Sequence, residues 1–172
     1  TLELDVLDLS SEGLPPFDRD AAEGKMARLR GEQASPAAEA AFARVVDLIE
    51  TFKSANVYVF AVPMWNFGIP YTLKHYLDLI IQPTYTFAVG KAGYEGLLTN
   101  RTAFVAYARG GAYAESDPAD FQRPYLEFAL RFMGIAEIHS VVVQPTVAGD
   151  PDAMRARLEE AQSRARELAA GL

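Results

Sequence analysis

Hydrophobic and polar positions along the chain switch repeatedly between a two-residue and a helical period. Leu2, Leu4 and Val6 alternate with Glu3 and Asp5, which predicts a strand with one solvated face. Residues 10–36 are rich in Gly, Pro and charge without a clear period, so they read as a long connection holding at most one helical turn. Ser35 followed by Pro36 marks a helix start, and Phe42, Val45, Val46, Ile49 and Phe52 follow at helical spacing. Residues 57–62 are continuously apolar and mostly β-branched or aromatic, which predicts a strand buried on both faces. Leu73, Tyr76, Leu77 and Ile80 mark a second helix that stops before Pro83, because proline lacks the N–H needed to continue it. Residues 84–99, punctuated by glycine, read as a surface excursion, and 102–108 as another buried strand. Phe121, Tyr125, Phe128 and Phe132 then repeat at helical spacing, with Gly134 placed to end that helix. Residues 138–143 predict the last strand. Asp150 and Pro151 open a final helix with Met154, Leu158, Ala161, Ala165 and Leu168 on one side.

Strands alternating with helices define an α/β fold with a doubly wound parallel sheet. Ligands of such sheets bind beyond the carboxyl ends of the strands, where strand order reverses. The loops after Val62 and Ala108 are therefore the ones to search for chemistry. Length and composition fit this: 172 residues, half of them hydrophobic and 23% charged, are enough for one cored domain spanning 1–172. Acidic residues outnumber basic ones 23 to 16, and a net charge of −7 disfavours nucleic acid and anionic membrane as partners. The absence of cysteine removes thiolate chemistry, and two histidines, His75 and His139, make a His-rich metal centre improbable; no metal site is expected. No run approaches the ~18 apolar residues of a spanning helix. With no secretory leader at Thr1 either, a cytoplasmic protein is expected.

The first loop reads Pro63-Met64-Trp65-Asn66-Phe67-Gly68-Ile69-Pro70 and leads into a helix. Aromatic surface and main-chain N–H groups side by side suit a planar heterocycle with polar edges, although Trp65 and Phe67 also suit an ordinary aromatic cap on the sheet. The second loop, Arg109-Gly110-Gly111-Ala112-Tyr113, has paired glycines that permit close approach to a ligand and a positive φ. Alone it reads as a plain Gly-Gly turn; beside the first loop it reads as the other half of a site. Arg109 is placed either to steer a phosphate or to form a surface salt bridge. Asp120 is read as a helix cap rather than a metal ligand, His75 as a surface or half-buried helix residue, and His139 as structural.

The stretch from Pro63 to Phe87, PMWNFGIPYTLKHYLDLIIQPTYTF, resembles the FMN-dependent NADH:quinone and azo-compound reductases, which are flavodoxin-like homodimers. The likeness continues through Glu95-Gly96-Leu97-Leu98, the Arg109-Gly110-Gly111 turn, residues 120–126 and residues 132–135. It implies a three-layer α/β/α fold, FMN held by Pro63, Met64, Trp65, Asn66, Phe67, Ala108, Arg109, Gly110, Gly111 and Tyr113, and NADH or NADPH as donor. It further implies a two-electron, ping-pong transfer to quinones or azo compounds with no catalytic side-chain acid. Phe132 would reach across a homodimer interface to wall the substrate pocket, with Val89 at its rim. Three positions depart from the family's usual pattern: Ala108 stands where a hydroxyl is common, Tyr113 where some members have His, and Val89 where many have an aromatic residue. These departures bear on the choice of substrate more than on flavin binding.

The family also begins with a strand, a Ser-rich phosphate turn and a helix, and this βα unit of about 30 residues has no counterpart here. No G-x-G-x-x-G or P-loop replaces it, and Ser10-Ser11 is more simply a turn. In the order 2-1-3-4-5 the corresponding strand is central, so an unpaired ladder edge is expected beside residues 57–62. The expectation is that an N-terminal segment of the natural protein precedes Thr1. Two other functions share this fold: a flavodoxin-type one-electron carrier, and a non-catalytic module without an FMN phosphate site. The aromatic first loop favours the dimeric enzyme.

Overall fold

The structure, a computed structural model, describes residues 3–11, 13–147 and 150–171. Two capped helices open it. The Asp18 carboxylate accepts a hydrogen bond from the Ala21 amide, and Gly31 closes the other end with φ 68°, defining α1 (Arg19–Arg30). Ser35 accepts from the Ala38 amide and starts α2 (Pro36–Ser54) at the predicted point. α1 replaces the single turn expected within residues 10–36. It was hidden because it buries only Ala21, Gly24 and Ala27, so no apolar stripe marks it. Those small residues let the helix backbones meet: a Cβ on Gly24 would lie 2.3 Å from the Ala38 carbonyl oxygen.

The remaining elements are β1 (Val57–Pro63), α3 (Tyr71–Ile80), β2 (Phe87–Gly90), β3 (Gly93–Gly96), β4 (Thr102–Ala108), α4 (Arg123–Phe132), β5 (Glu137–Val143) and α5 (Pro151–Ala169). β1, β4 and β5 form one parallel sheet in the order β1-β4-β5. Their register is level, with Pro63 beside Ala108 and Ala108 beside Val143, so three carboxyl ends share one edge. The surface excursion of residues 84–99 contains an antiparallel hairpin, β2–β3. Gly96 presses so closely on the Met133–Gly134 backbone that a Cβ would sit 2.2 Å from the Gly134 nitrogen. Gly134 has φ 103° just beyond α4, as its place in the sequence predicted.

One sheet face, carrying Tyr58, Val62, Ala103, Val105 and Tyr107, packs against α2, α3 and α4 residues such as Ile49, Leu77, Ile80, Leu126 and Leu130. Burial of these side chains drives folding at about 25 cal/mol per Å² of apolar surface. The opposite face is not closed over β1: Val59 is 75% exposed, which corrects the expectation of a strand buried on both sides. Among the described residues β1 pairs only with β4, so the unpaired ladder edge expected there is present. The strand expected at Leu2, Leu4 and Val6 does not form over residues 3–8, where Leu4 is 82% exposed; Leu2 lies outside the described residues. No neighbouring strand supplies the ladder bonds that alternation alone cannot.

Candidate active site

Both sequence-predicted loops sit at the carboxyl edge and touch. The Met64 amide donates to the Ala108 carbonyl over 2.8 Å, which extends the β1–β4 pairing by one bond. Trp65 and Gly68 then exchange two main-chain hydrogen bonds, of 3.0 and 3.1 Å, around Asn66 and Phe67. Asn66 has φ 46° and Phe67 φ 72°, as a primed turn requires. A positive φ is rare for a bulky residue and stores about 1–3 kcal/mol of strain, the kind of outlier that collects at ligand sites. Gly110 and Gly111 behave otherwise than expected: neither adopts a left-handed φ. What they supply is space, since a Cβ on Gly110 would lie 3.1 Å from a Val147 methyl and one on Gly111 would point toward the Tyr113 ring at 3.6 Å.

The main-chain amides of Asn66, Phe67, Gly110 and Gly111 have no partner among the described residues. Two turns therefore present N–H donors at one edge, beside the half-exposed rings of Trp65 and Phe67. Such an arrangement binds the polar rim of a flat heterocycle and covers its face. It fits a flavin ring. For the phosphate of FMN the described residues offer less: the Ser10 and Ser11 hydroxyls both donate to the Asp8 carboxylate, at 2.5 and 2.8 Å. Those bonds, with the Ser10 amide, hold the Asp8 carboxyl below its ordinary value, so the turn carries a negative charge that repels phosphate.

Arg109 is neither a phosphate hook nor a surface salt bridge. Its side chain is 4% exposed and forms a 2.7 Å ion pair with Asp120, itself 9% exposed. The buried guanidinium is held by one acceptor at each of its three nitrogens, Gln122 at Nε, Gln144 at Nη1 and Asp120 at Nη2. Asp120 also accepts from the Gln122 and Arg123 amides at the start of α4, although the N-cap position itself falls on Gln122. Gln144 escaped the sequence reading, and Gln122, placed near the pocket mouth by the sequence, was given no role there. Both are polar residues at the predicted boundaries of elements, and only their burial and partners reveal them. Beneath the site, burial pushes the Tyr107 phenol well above its ordinary pKa, the negative charge of Glu127 adding to it. The buried Tyr107 hydroxyl has no partner among the described residues.

Phe132 and Val89 are not brought to the turns by this chain alone. The Phe121 amide donates to the Phe67 carbonyl, so the approach to α4 starts at the first turn. α4 then leads away, and nine residues at 1.5 Å each put Phe132 about 14 Å along the axis from Arg123. There it packs against Phe87, Tyr94 and Phe128, with ring centroids 4.8, 5.5 and 6.2 Å away. His75 is half-buried on α3, as expected. His139 stacks on Phe104 at 5.0 Å and meets Glu137 at 3.0 Å.

A parallel sheet with two ligand-facing turns at its carboxyl edge defines a flavodoxin-like α/β protein, and the model of a family described as "Flavodoxin-like fold" matches residues 2–169. The FMN-dependent NADH:quinone oxidoreductase of Nitratidesulfovibrio vulgaris (strain DP4) is 49% identical over 167 residues, covering 95% of this chain and 80% of the relative. FMN-dependent NADH:quinone oxidoreductase 3 of Pseudomonas fluorescens is 41% identical over 177 residues, covering 98% and 82%. An FMN-dependent NADH-azoreductase from Bacillus anthracis, solved in complex with FMN, superposes with a TM-score of 0.80 at 28% identity, over 93% of this chain and 78% of that one. The chain belongs to the family of FMN-dependent NADH:quinone oxidoreductases. The flavodoxin-like fold is thereby borne out.

Proposed function

We propose that this chain is an FMN-dependent oxidoreductase that takes two electrons from NADH and passes them to a quinone or an azo compound. The observation that carries this reading is the pair of adjoining turns whose four free amides share an edge with Trp65 and Phe67. The names of its relatives support FMN, NADH and a quinone, and that of the Bacillus anthracis structure supports an azo compound. FMN, when bound, supplies the redox chemistry. The chain's part is to hold the ring: Met64 to Phe67 would line one side, and the Gly110 and Gly111 amides would donate to its electron-rich edge. Donors fixed there before reaction favour the added negative charge of reduction at no further cost in reorganisation. No side-chain acid is needed at the crevice, and donor and acceptor use it in turn.

A homodimer completes the crevice in this reading. Exposed aromatic residues run from Trp65 and Tyr71 past Phe121 to Phe128 and Tyr94. An open cleft of about 470 Å³ lined by Trp65, Ile69, Tyr71, Lys74 and Tyr125 interrupts them. Exposed apolar rings in this number suit an interface, and a second copy is what would bring a Phe132 and a Val89 to the turns. Among the described residues no helix is long and apolar enough to cross a membrane.

The test is a titration. The protein loaded with FMN should lose its yellow colour on adding NADH without oxygen and regain it on adding a quinone or azo dye, with parallel double-reciprocal lines in steady state. A chain that ignores FMN, or one whose bound FMN ignores NADH, overturns the reading; the second result favours a one-electron carrier.

A further inference from the structure

The two turns are linked from behind by a relay of side chains, of which Gln122 and Arg109 are buried and Gln144 partly so. The Gln122 amide nitrogen Nε2 donates 2.9 Å to the Val62 carbonyl, near the carboxyl end of β1. Gln122 Oε1 accepts from Arg109 Nε at 2.9 Å, and Gln122 itself is fully buried. Arg109 Nη1 donates to Gln144 Oε1 at 3.4 Å, while Nη2 is neutralised by Asp120. Gln144 then grips the far side of the second turn at both main-chain groups of Tyr113: Nε2 donates to the carbonyl at 2.8 Å, and Oε1 accepts the amide at 3.3 Å. The relay thus runs Val62, Gln122, Arg109, Gln144, Tyr113, with one end on β1 just before the first turn and the other on the second turn. A hydrophobic filler would pack this space as well or better for stability. What the polar relay adds is fixed direction, because a guanidinium fork and two amides accept one geometry only.

We propose that Arg109, Gln122 and Gln144 are positioning residues that set the separation and aim of the free amides of Asn66, Phe67, Gly110 and Gly111 toward the flavin ring. The inference rests on the flavin reading above and goes beyond it by giving the side chains behind the turns a role of their own. Preorganised donors lose their advantage when their support loosens, even where the chain stays folded.

Gln144→Glu is the sharpest test. It keeps the shape and adds an attraction to Arg109, but replaces the donor to the Tyr113 carbonyl by an oxygen. Arg109→Lys is the companion: it keeps the charge opposite Asp120 and loses the fork. In both variants the FMN dissociation constant should rise about tenfold or more, and the visible circular dichroism of bound FMN should change. In the FMN-free protein, amide exchange at residues 110–113 should accelerate while that of β4 stays slow. Should Arg109→Lys fail to fold, Gln144→Glu carries the decision alone. Folded variants that bind FMN with parental affinity and dichroism overturn the inference, whatever they lose in melting temperature. A parent protein that takes up no FMN overturns the flavin reading instead, and the inference falls with it.

Discussion

Single residues in this chain hold energy in two unusual places. Phe67 sits at φ 72° with its ring half exposed, so its backbone strain is not repaid by burial. Phe67→Gly should therefore raise the stability of the FMN-free protein by about 1 kcal/mol, since glycine adopts that conformation freely. The same change removes a ring from the crevice and should weaken FMN binding; denaturant unfolding and flavin titration read the two effects separately. A loss of stability would mean that the ring is packed in solution. The buried phenols act through pH. Tyr76 and Tyr107 are both pushed above their ordinary value of 10.0, burial being the main cause in each. The unfolded chain ionises first, so the stability they lend is whole below about pH 10 and drains as the pH climbs toward the folded-state values. Tyrosinate absorbance should show these two of the eight tyrosines ionising only as the protein unfolds; smooth titration of all eight in the folded state would refute it. Neither feature is legible in the sequence, which singles out Phe67 for the site without showing its strain and gives no sign of the fate of the Tyr107 hydroxyl.

At the level of elements, what could be read depended on whether burial left a periodic trace. α2 and α3 bury residues at a helical period and β4 at a two-residue one, while Ser35, Pro70 and Asp150 mark the starts of α2, α3 and α5, so their limits were visible. α1 carries a cap at each end but no apolar stripe, because its contact with α2 is made through alanine and glycine. Residues 3–8 fail in the opposite way: the alternation is present, but a strand needs a partner and none of the described residues provides one. Gly24 is the point of closest approach between α1 and α2, and it yields a prediction with opposing terms. Alanine favours a helix interior over glycine by about 1 kcal/mol. Against that, its Cβ would meet the Ala38 carbonyl at 2.3 Å and the Phe42 Cβ at 2.9 Å, both fixed by α2. Overpacking against backbone costs about 1–3 kcal/mol, so Gly24→Ala should lower the midpoint of chemical unfolding. A rise in the midpoint would show that the two helices separate easily.

For the molecule as a whole, the sequence located the two turns because an aromatic loop and a Gly-Gly loop each follow a strand of the same sheet. It missed the relay behind them because hydrogen-bond partners tens of residues apart leave no pattern along a chain. Gln122 and Gln144 have meaning only once β1, β4, β5 and the start of α4 converge. The proposed dimer would need a similar convergence, this time between copies. Each copy carries a net charge of −7, so association has to overcome long-range repulsion, and the apolar band is the surface able to do it. Sedimentation should accordingly find a dimer that tightens with added salt, as screening removes the repulsion. Phe128, 67% exposed on α4 and 6.2 Å from Phe132, lies in the band. Phe128→Glu adds a charge that association would have to bury, and it should raise the dimer dissociation constant at least about tenfold. Gln162→Glu, on exposed α5 outside the band, adds the same charge and should shift it little. Equal weakening in both variants would trace the effect to net charge rather than to the surface. A dimer untouched by Phe128→Glu would place the interface elsewhere, and Phe132 would then have no route to the turns.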